Sequence, residues 1–184
     1  MAETATWSHL IFWGAVGVVT YTYLGYPAIV WSLGYLFPRP VRTASVTPTI
    51  TVLIAACNEE KYIADKIESC LSLAYPPERL NVLIVSDGST DRTVAIVESY
   101  VARYPDRVSL IALPSRRGKA HALNVGAARA SGEVLLLADA RQRFDPLVAQ
   151  ALARNFADAE VGAVSGELLL VEGEAGEGTS VMRG

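Results

Sequence analysis

The apolar and polar positions divide the chain into two unlike parts. From His9 to Phe37 no Asp, Glu, Lys or Arg occurs, a stretch of 29 residues. A bilayer's hydrocarbon core is crossed by about 20 apolar residues in helical form. The stretch therefore predicts one transmembrane helix over 9–37, preceded by an N-terminal tail at 1–8. Trp7, Trp13, Trp31 and Tyr35 lie toward its ends, where amphipathic rings favour the headgroup region. Pro27 marks a place for a kink, which membrane helices tolerate. A re-entrant or interfacial pair of short helices broken near Gly25-Tyr26-Pro27 is the alternative these residues leave open. A cleaved signal peptide fits poorly, because the N-terminus carries Glu3 and no Lys or Arg. Arg39 and Arg42 follow the stretch, and the next acidic residue is Glu59. By the positive-inside rule, the remainder then faces the cytoplasm from a single anchor in the cell membrane.

Residues 38–49, rich in Pro and Thr and without a period, predict a linker. Beyond it, strand-like and helix-like patterns alternate. Ile50–Ala56 is a continuous apolar run suited to a strand buried on both faces. Glu59–Ala74 carries Ile63, Ile67, Cys70 and Leu71 at helical spacing, and Pro76-Pro77 stops it. Leu80–Ser86 predicts a second strand, and the turn Asp87–Asp91 leads to a helix over Asp91–Arg103 capped by Ser89 or Thr90. Val108–Leu113 and Glu133–Ala138 predict two more strands around a helix at Lys119–Ala130. A helix over Pro146–Ala157, a strand over Val161–Val171 and a flexible acidic, Gly-rich tail over 172–184 complete the pattern. The alternation predicts an α/β fold, a mostly parallel sheet with helices on both faces. Such sheets bind ligands beyond the carboxyl ends of their strands. Four segments lie there: Cys57-Asn58-Glu59, Asp87-Gly88-Ser89, Ser115–Lys119 and Asp139-Ala140-Arg141.

Composition narrows the chemistry those segments can do. With 16 Lys+Arg against 19 Asp+Glu, a net charge of −3 gives no general drive toward nucleic acid. Cys57 and Cys70 form no metal-ligand pattern and read as reduced, buried thiols. No G-x-G-x-x-G follows the first strand, and Gly118-Lys119 leads into Ala120, so neither a dinucleotide fingerprint nor a P-loop is present. Asp87 and Asp139 each end a strand; taken alone, either is equally well an Asx-turn residue. Arg116, Arg117 and Lys119 form a basic cluster of a kind that is often only a solvated face. Lys119 opens a helix, however, where a cation is disfavoured unless an anion is near. Carboxylates and a basic loop facing one crevice suit a polyphosphate bridged by a divalent metal.

The runs Ala55-Ala56-Cys57-Asn58-Glu59-Glu60, Val85-Ser86-Asp87-Gly88-Ser89-Thr90-Asp91, Gly118-Lys119-Ala120-His121-Ala122-Leu123-Asn124 and Leu137-Ala138-Asp139-Ala140, in that order, resemble family 2 glycosyltransferases. The resemblance is to the membrane-bound branch of cellulose and poly-N-acetylglucosamine synthase-like enzymes. It implies a GT-A nucleotide-diphospho-sugar transferase-like fold over 50–171, a nucleotide-sugar donor, most often a UDP-sugar, and inverting transfer to an acceptor hydroxyl on an unidentified glycan or lipid. Carried over by position, the Ala55 and Ala56 backbone would touch the base, Glu59 would lie near the ribose and Asp87 would hydrogen-bond the base. Lys119 would reach the base or phosphates, and Asp139 matches the first carboxylate of the family's D-x-D, which serves the diphosphate and a Mg²⁺ or Mn²⁺ ion. Two positions depart from the pattern: Cys57 replaces an aromatic residue, and Arg141 replaces the second carboxylate. Arg cannot ligate a cation, so either Asp139 and the diphosphate hold the metal, or Arg141 itself neutralises phosphate charge. The family's general base belongs to an acceptor half that follows the donor half, and none is identified here. The chain is thus expected to be a donor-binding half, a truncated transferase. A membrane-tethered, non-catalytic sugar-nucleotide-binding or interaction module is the alternative, and a regulatory α/β domain whose acids are only turn residues is a third.

Overall fold

The computed structural model describes residues 2–171 and 179–183, and the chain forms two compact units, Met1–Val41 and Arg42–Gly184. The first unit is helical from α1 (Ala2–Thr20) through a π-helical turn (Tyr21–Gly25) to α2 (Tyr26–Leu36). Pro27 has no N–H for the Tyr23 carbonyl, and a proline ring crowds the carbonyl four residues back. The helix widens there, and the Tyr26 N–H donates to the Tyr21 carbonyl, five residues back. This corrects the expectation of one membrane-crossing helix over 9–37. Among the described residues no helix is long and apolar enough to cross a membrane. The turn leaves only 11 residues to α2, and α1 begins inside the expected tail with the polar Glu3, Thr4, Thr6, Ser8 and His9. Every large apolar side chain from Trp7 to Phe37 that the structure describes is exposed or nearly so, with Trp31 at 72% and Tyr35 at 76%.

The second unit is built on four parallel strands, β1 (Ile50–Ala56), β2 (Leu80–Asp87), β3 (Val108–Leu113) and β4 (Val134–Ala138), in the order β3-β2-β1-β4. Because β1 is central and covered on both faces, it alternates between two cores. Ile50, Val52, Ile54 and Ala56 join Val82, Ile84, Ile63, Ile67 and Cys70 of α3 (Ile63–Leu71) and Val97 of α4 (Thr93–Arg103). Leu53 faces the other way, with Leu83, Val85 and Ala122 of α5 (Lys119–Ala127). A Cβ on Gly126 would fall 2.3 Å from Leu53 Cδ1, so α5 packs this closely only with glycine there. Helices therefore lie on both faces, as the pattern predicts.

Past β4 the two diverge. A short strand β5 (Gln142–Phe144), absent from the sequence reading, is followed by α6 (Val148–Ala153) and a 3₁₀ turn at Arg154–Ala157. The strand expected over Val161–Val171 is regular only as β6 (Glu167–Val171). Asp158 takes Val161 out of the strand: its carbonyl accepts the Val161 N–H and its carboxylate the Glu160 N–H, which closes a turn. The expected flexible tail contains a strand, β7 (Thr179–Arg183), parallel to β5 and antiparallel to β6, while 172–178 and Gly184 lie outside the described residues.

The loops at the carboxyl ends of the strands are fixed by hydrogen bonds to one another. The Asn58 Oδ1 accepts the Thr90 N–H at 2.8 Å, with Asn58 itself at φ 56°. Thr93 Oγ1 accepts the Glu59 N–H at 2.9 Å, and Asp91 Oδ2 the Glu60 N–H at 3.1 Å. The N-cap of α4 is Arg92, which has no side-chain cap bond, and it is Asp91 just before it, not Ser89 or Thr90, whose Oδ1 accepts the Thr93 N–H at 2.9 Å. Asp87, 3% exposed, holds the basic loop: its two oxygens accept the Arg117 and Gly118 N–H groups, each at 2.7 Å. Gly88 sits at φ 64°, and a Cβ there would meet the Arg116 nitrogen at 2.4 Å, so this close approach requires glycine. The Arg117 amide holds the Asp87 carboxyl below its ordinary 3.8, opposed by burial and helped by the Gly118 amide. A carboxyl depressed in the folded state contributes stability that is present above the unfolded value and lost as pH falls through the folded one. Urea unfolding followed against pH checks this. The wild-type midpoint is expected to fall below pH 3.8, and Asp87→Asn to lower the midpoint at pH 7 while making the acid fall shallower.

Candidate functional site

The register of the sheet sets three expected segments side by side. Ala56 pairs with Ser86, and Ile54 with Ala138. Cys57–Glu59, Asp87 and Asp139 therefore leave neighbouring strands at the same edge. Ala55, Glu59, Asp139 and Arg141 line one cavity of about 220 Å³ together with Ala140 and Gln142. Lys119, the first residue of α5, reaches that cavity through Asp139. Ala56 is buried and presents only backbone. Asp87 does not line the cavity; it lies one strand over, turned onto the basic loop. Arg116 and Arg117 are exposed, and it is the backbone of Arg117, not its guanidinium, that the loop uses. A larger cavity of about 650 Å³ lies elsewhere, along the outer edge of β4, and is mostly apolar.

Four charges meet across the crevice in two pairs. Lys119 Nζ contacts Asp139 Oδ1. The Arg141 guanidinium donates from Nε to Glu59 Oε2 at 3.1 Å and from Nη2 to Oε1 at 3.2 Å, and lies 5.2 Å from the centre of the Tyr62 ring. Both cations are well exposed, at 59% for Lys119 and 67% for Arg141. The Lys119–Asp139 pair, exposed on both sides, contributes about 0–1 kcal/mol, whereas Arg141 forks onto a Glu59 side chain that is only 17% exposed and is held more firmly. A charge-assisted hydrogen bond contributes roughly 1.5–3 kcal/mol, and Arg in particular matches the oxygens of a phosphate. The arrangement is chemically two cations at one opening, each resting on a carboxylate that a stronger anion could replace.

The donor set limits what a metal could do here. Asp139 can give oxygen to a cation, but Arg141, two residues on, has no lone pair. Among the described residues no group of three or more His, Cys, Asp or Glu side chains is placed to hold a metal ion. The residues fit Mg²⁺ or Mn²⁺ in one form, with a single carboxylate and the remaining oxygens supplied by phosphate and water.

One residue beside the site escaped the sequence reading. Lys66 of α3 is 2% exposed, with Nζ 2.9 Å from the Gln142 carbonyl and 3.3 Å from the centre of the Phe144 ring. Burial pushes its ammonium down to about 8 from 10.5, against the pull of Cys70 and Asp139. The signal was present, because Lys66 falls between Ile63 and Ile67 on the apolar stripe of the helix. Cys70, on that stripe, is buried and its thiol is pushed up to about 11 by burial, so it stays protonated; Cys57 is only half-buried.

Comparison with known proteins agrees with this geometry. The profile of "Glycosyl transferase family 2" matches residues 51–183. A probable glycosyltransferase of Bacillus subtilis, YdaM, is 33% identical over 127 residues, which cover 67% of this chain and 30% of that protein. The poly-beta-1,6-N-acetyl-D-glucosamine synthase of Staphylococcus aureus is 31% identical over 148 residues, 75% of this chain and 35% of the synthase. Among solved structures, the mannosyltransferase PcManGT of Pyrobaculum calidifontis, in complex with GDP-Man and Mn²⁺, superposes with a TM-score of 0.68 at 30% identity, over 82% of this chain and 45% of that one. The chain spans about a third of the length of the curated relatives it matches. With motifs, parallel sheet and strand-end charges in agreement with a match over most of its length, the chain belongs to glycosyl transferase family 2.

Proposed function

We propose that the carboxyl edge of the β3-β2-β1-β4 sheet binds a nucleoside-diphosphate sugar, whose sugar passes with inversion to an acceptor hydroxyl. The observation that carries this reading is the exchangeable pairing of Lys119 with Asp139 and of Arg141 with Glu59 at the strand ends. A diphosphate entering the crevice would take both cations, leaving Glu59 to accept a hydrogen bond from a ribose hydroxyl. The Ala55 and Ala56 backbone would then face the base. Asp87 already accepts two N–H groups, but a carboxylate has roughly four acceptor sites, so it keeps capacity for a base N–H while holding the loop. UDP is the donor nucleotide expected from the family resemblance; the mannosyltransferase neighbour is in complex with GDP-Man, so the two bases are alternatives to be measured. A bound Mg²⁺ or Mn²⁺, held by Asp139, would neutralise charge developing on the departing diphosphate. Arg141, once taken from Glu59 by the diphosphate, would supply part of that neutralisation as a cation.

The likeness to the staphylococcal synthase supports placing the chain in the membrane-bound branch that makes polysaccharides. In this reading the helical run before the linker lies in or against the cell membrane, with the second unit on the cytoplasmic side. Its exposed aromatic and aliphatic side chains, from Trp7 to Phe37, support the assignment, since monomeric soluble proteins rarely leave so much apolar surface uncovered. Binding without transfer is the second reading. It is favoured by the carboxylates of the crevice: Glu59, Asp87 and Asp139 each have a charged or N–H partner, and none is assigned as the acceptor's base.

Calorimetry with UDP and with GDP, each with Mn²⁺, tests the site. One of them is expected to bind the wild type; Arg141→Ala should weaken it about tenfold, as loss of one charge-assisted bond predicts, and Asp139→Ala should abolish the response to Mn²⁺. Equal heats for all three proteins contradict the assignment. Flotation with vesicles tests the anchor: the wild type is expected to float, and Ile29→Lys with Leu33→Lys to reduce the floating fraction several-fold.

A further inference from the structure

Lys66 has no part in the scheme above, yet its ammonium is bonded to the segment that carries Asp139 and Arg141. We propose that Lys66 is a positioning residue for the diphosphate-binding turn, holding the Gln142 carbonyl and the Phe144 ring so that Asp139 and Arg141 present their charges to one ligand. Its functional part rests on the nucleotide reading; its structural part does not.

The contacts form a short chain. The turn from Asp139 to Gln142 is closed by the Gln142 N–H, which donates to the Asp139 carbonyl at 3.2 Å. The Gln142 carbonyl accepts from Lys66 Nζ at 2.9 Å, and two residues further the Phe144 N–H donates to Ser69 Oγ at 3.3 Å. Helix α3 thus grips β5 at two levels, and the Lys66 contact is the one that abuts the turn. β5 is only three residues long, and its strand neighbour β7 is far along the chain. Arg141 is bonded to Glu59 at its tip, and the residue that follows it in the chain, Gln142, has its carbonyl held by the buried Lys66.

Stability alone does not account for a lysine here. A buried ammonium is costly to desolvate, and an apolar side chain of similar size avoids that cost while leaving the Gln142 carbonyl without its donor. Met is such a side chain, and it would fill the same space between Ile63, Ile67 and Phe144. What it lacks is a donor for the Gln142 carbonyl and a charge over the Phe144 ring. A lysine held for packing would make Lys66→Met a loss of stability; one held for positioning makes it a loss of order and affinity at the turn.

The full chain is compared as wild type, Lys66→Met and Ile67→Ala by thermal melting, by amide hydrogen exchange, and by calorimetry with UDP and with GDP in the presence of Mn²⁺. Lys66→Met is expected to melt close to the wild-type temperature, the relief of desolvation offsetting the lost contacts, to exchange at least tenfold faster over residues 140–144, and to bind the nucleotide about tenfold more weakly. Ile67→Ala, a core truncation on the same helix, should melt lower and bind as wild type does. Unchanged exchange at the turn overturns the proposal, and so does an affinity within twofold of wild type, or a loss of affinity in Ile67→Ala equal to that in Lys66→Met. Should Met at this position prevent folding, Lys66→Gln, whose amide is too short to reach the carbonyl, is read by the same criteria. If the wild type binds neither nucleotide, the nucleotide reading fails by itself, and exchange over 140–144 still decides whether Lys66 positions the turn.

Discussion

β1 has a strand on either side and a core on either face, and the rest of the second unit is arranged by that burial. Val52, Leu53 and Ile54 are fully enclosed, so a slip of one residue would turn each onto the wrong core. The two parallel pairings fix the level of every strand end: Ala56 stands beside Ser86, and Ile54 beside Ala138. Parallel strands also require crossovers over the faces, which brings the starts of α4 and α5 to the same edge. Asp87, Asp139, Glu59 and Lys119 meet because hydrophobic burial leaves the loops that carry them nowhere else to emerge. The hydrogen bonds among those loops then do the fine adjustment, Asp87 holding Arg117 and Gly118, and Asn58 holding Thr90.

The electrostatic character of the crevice follows from one residue type. With a carboxylate at 141, the edge would carry three acids against Lys119 and depend on a cation to admit a diphosphate. Arg141 reverses that balance, pairing Glu59 and leaving the opening with two cations and two carboxylates. The Lys119–Asp139 pair is exposed and worth little in itself, so an incoming diphosphate has little to displace there, while at Arg141 it competes with the forked contact to Glu59. Lys66, below the turn, is of another kind. Holding its ammonium from 10.5 down at about 8 corresponds to roughly 3 kcal/mol of disfavoured charge, a cost that the packing of α3 on β5 offsets.

The sheet was legible in the sequence because its strands are continuous apolar runs, and β1 and β3 begin and end where the pattern places them. Ends of helices were less so. Glu59 and Glu60 look like the first turn of a helix, but their amides are taken by Thr93 and Asp91, which holds them outside α3. β5 and β7 pair with each other across a long separation, and a three-residue strand has no period to read. The π-helical turn needed the consequence of Pro27 for a carbonyl four residues back, not its mere presence. At the site, the loops and their charges were legible from strand ends; that the cations are paired with Asp139 and Glu59, and that Asp87 serves the loop backbone, depends on side-chain reach. Lys66 was visible as a break in an apolar stripe, and its partner, a backbone carbonyl, leaves no mark in sequence.

In the proposed function Lys119 and Arg141 exchange their carboxylates for a diphosphate. A crystal structure of the chain with UDP or GDP tests it most directly. Phosphate oxygens are expected within hydrogen-bonding distance of both Lys119 and Arg141, with the contacts to Asp139 and Glu59 opened. A nucleotide seated elsewhere, or one bound at this edge with both pairs intact, would contradict it.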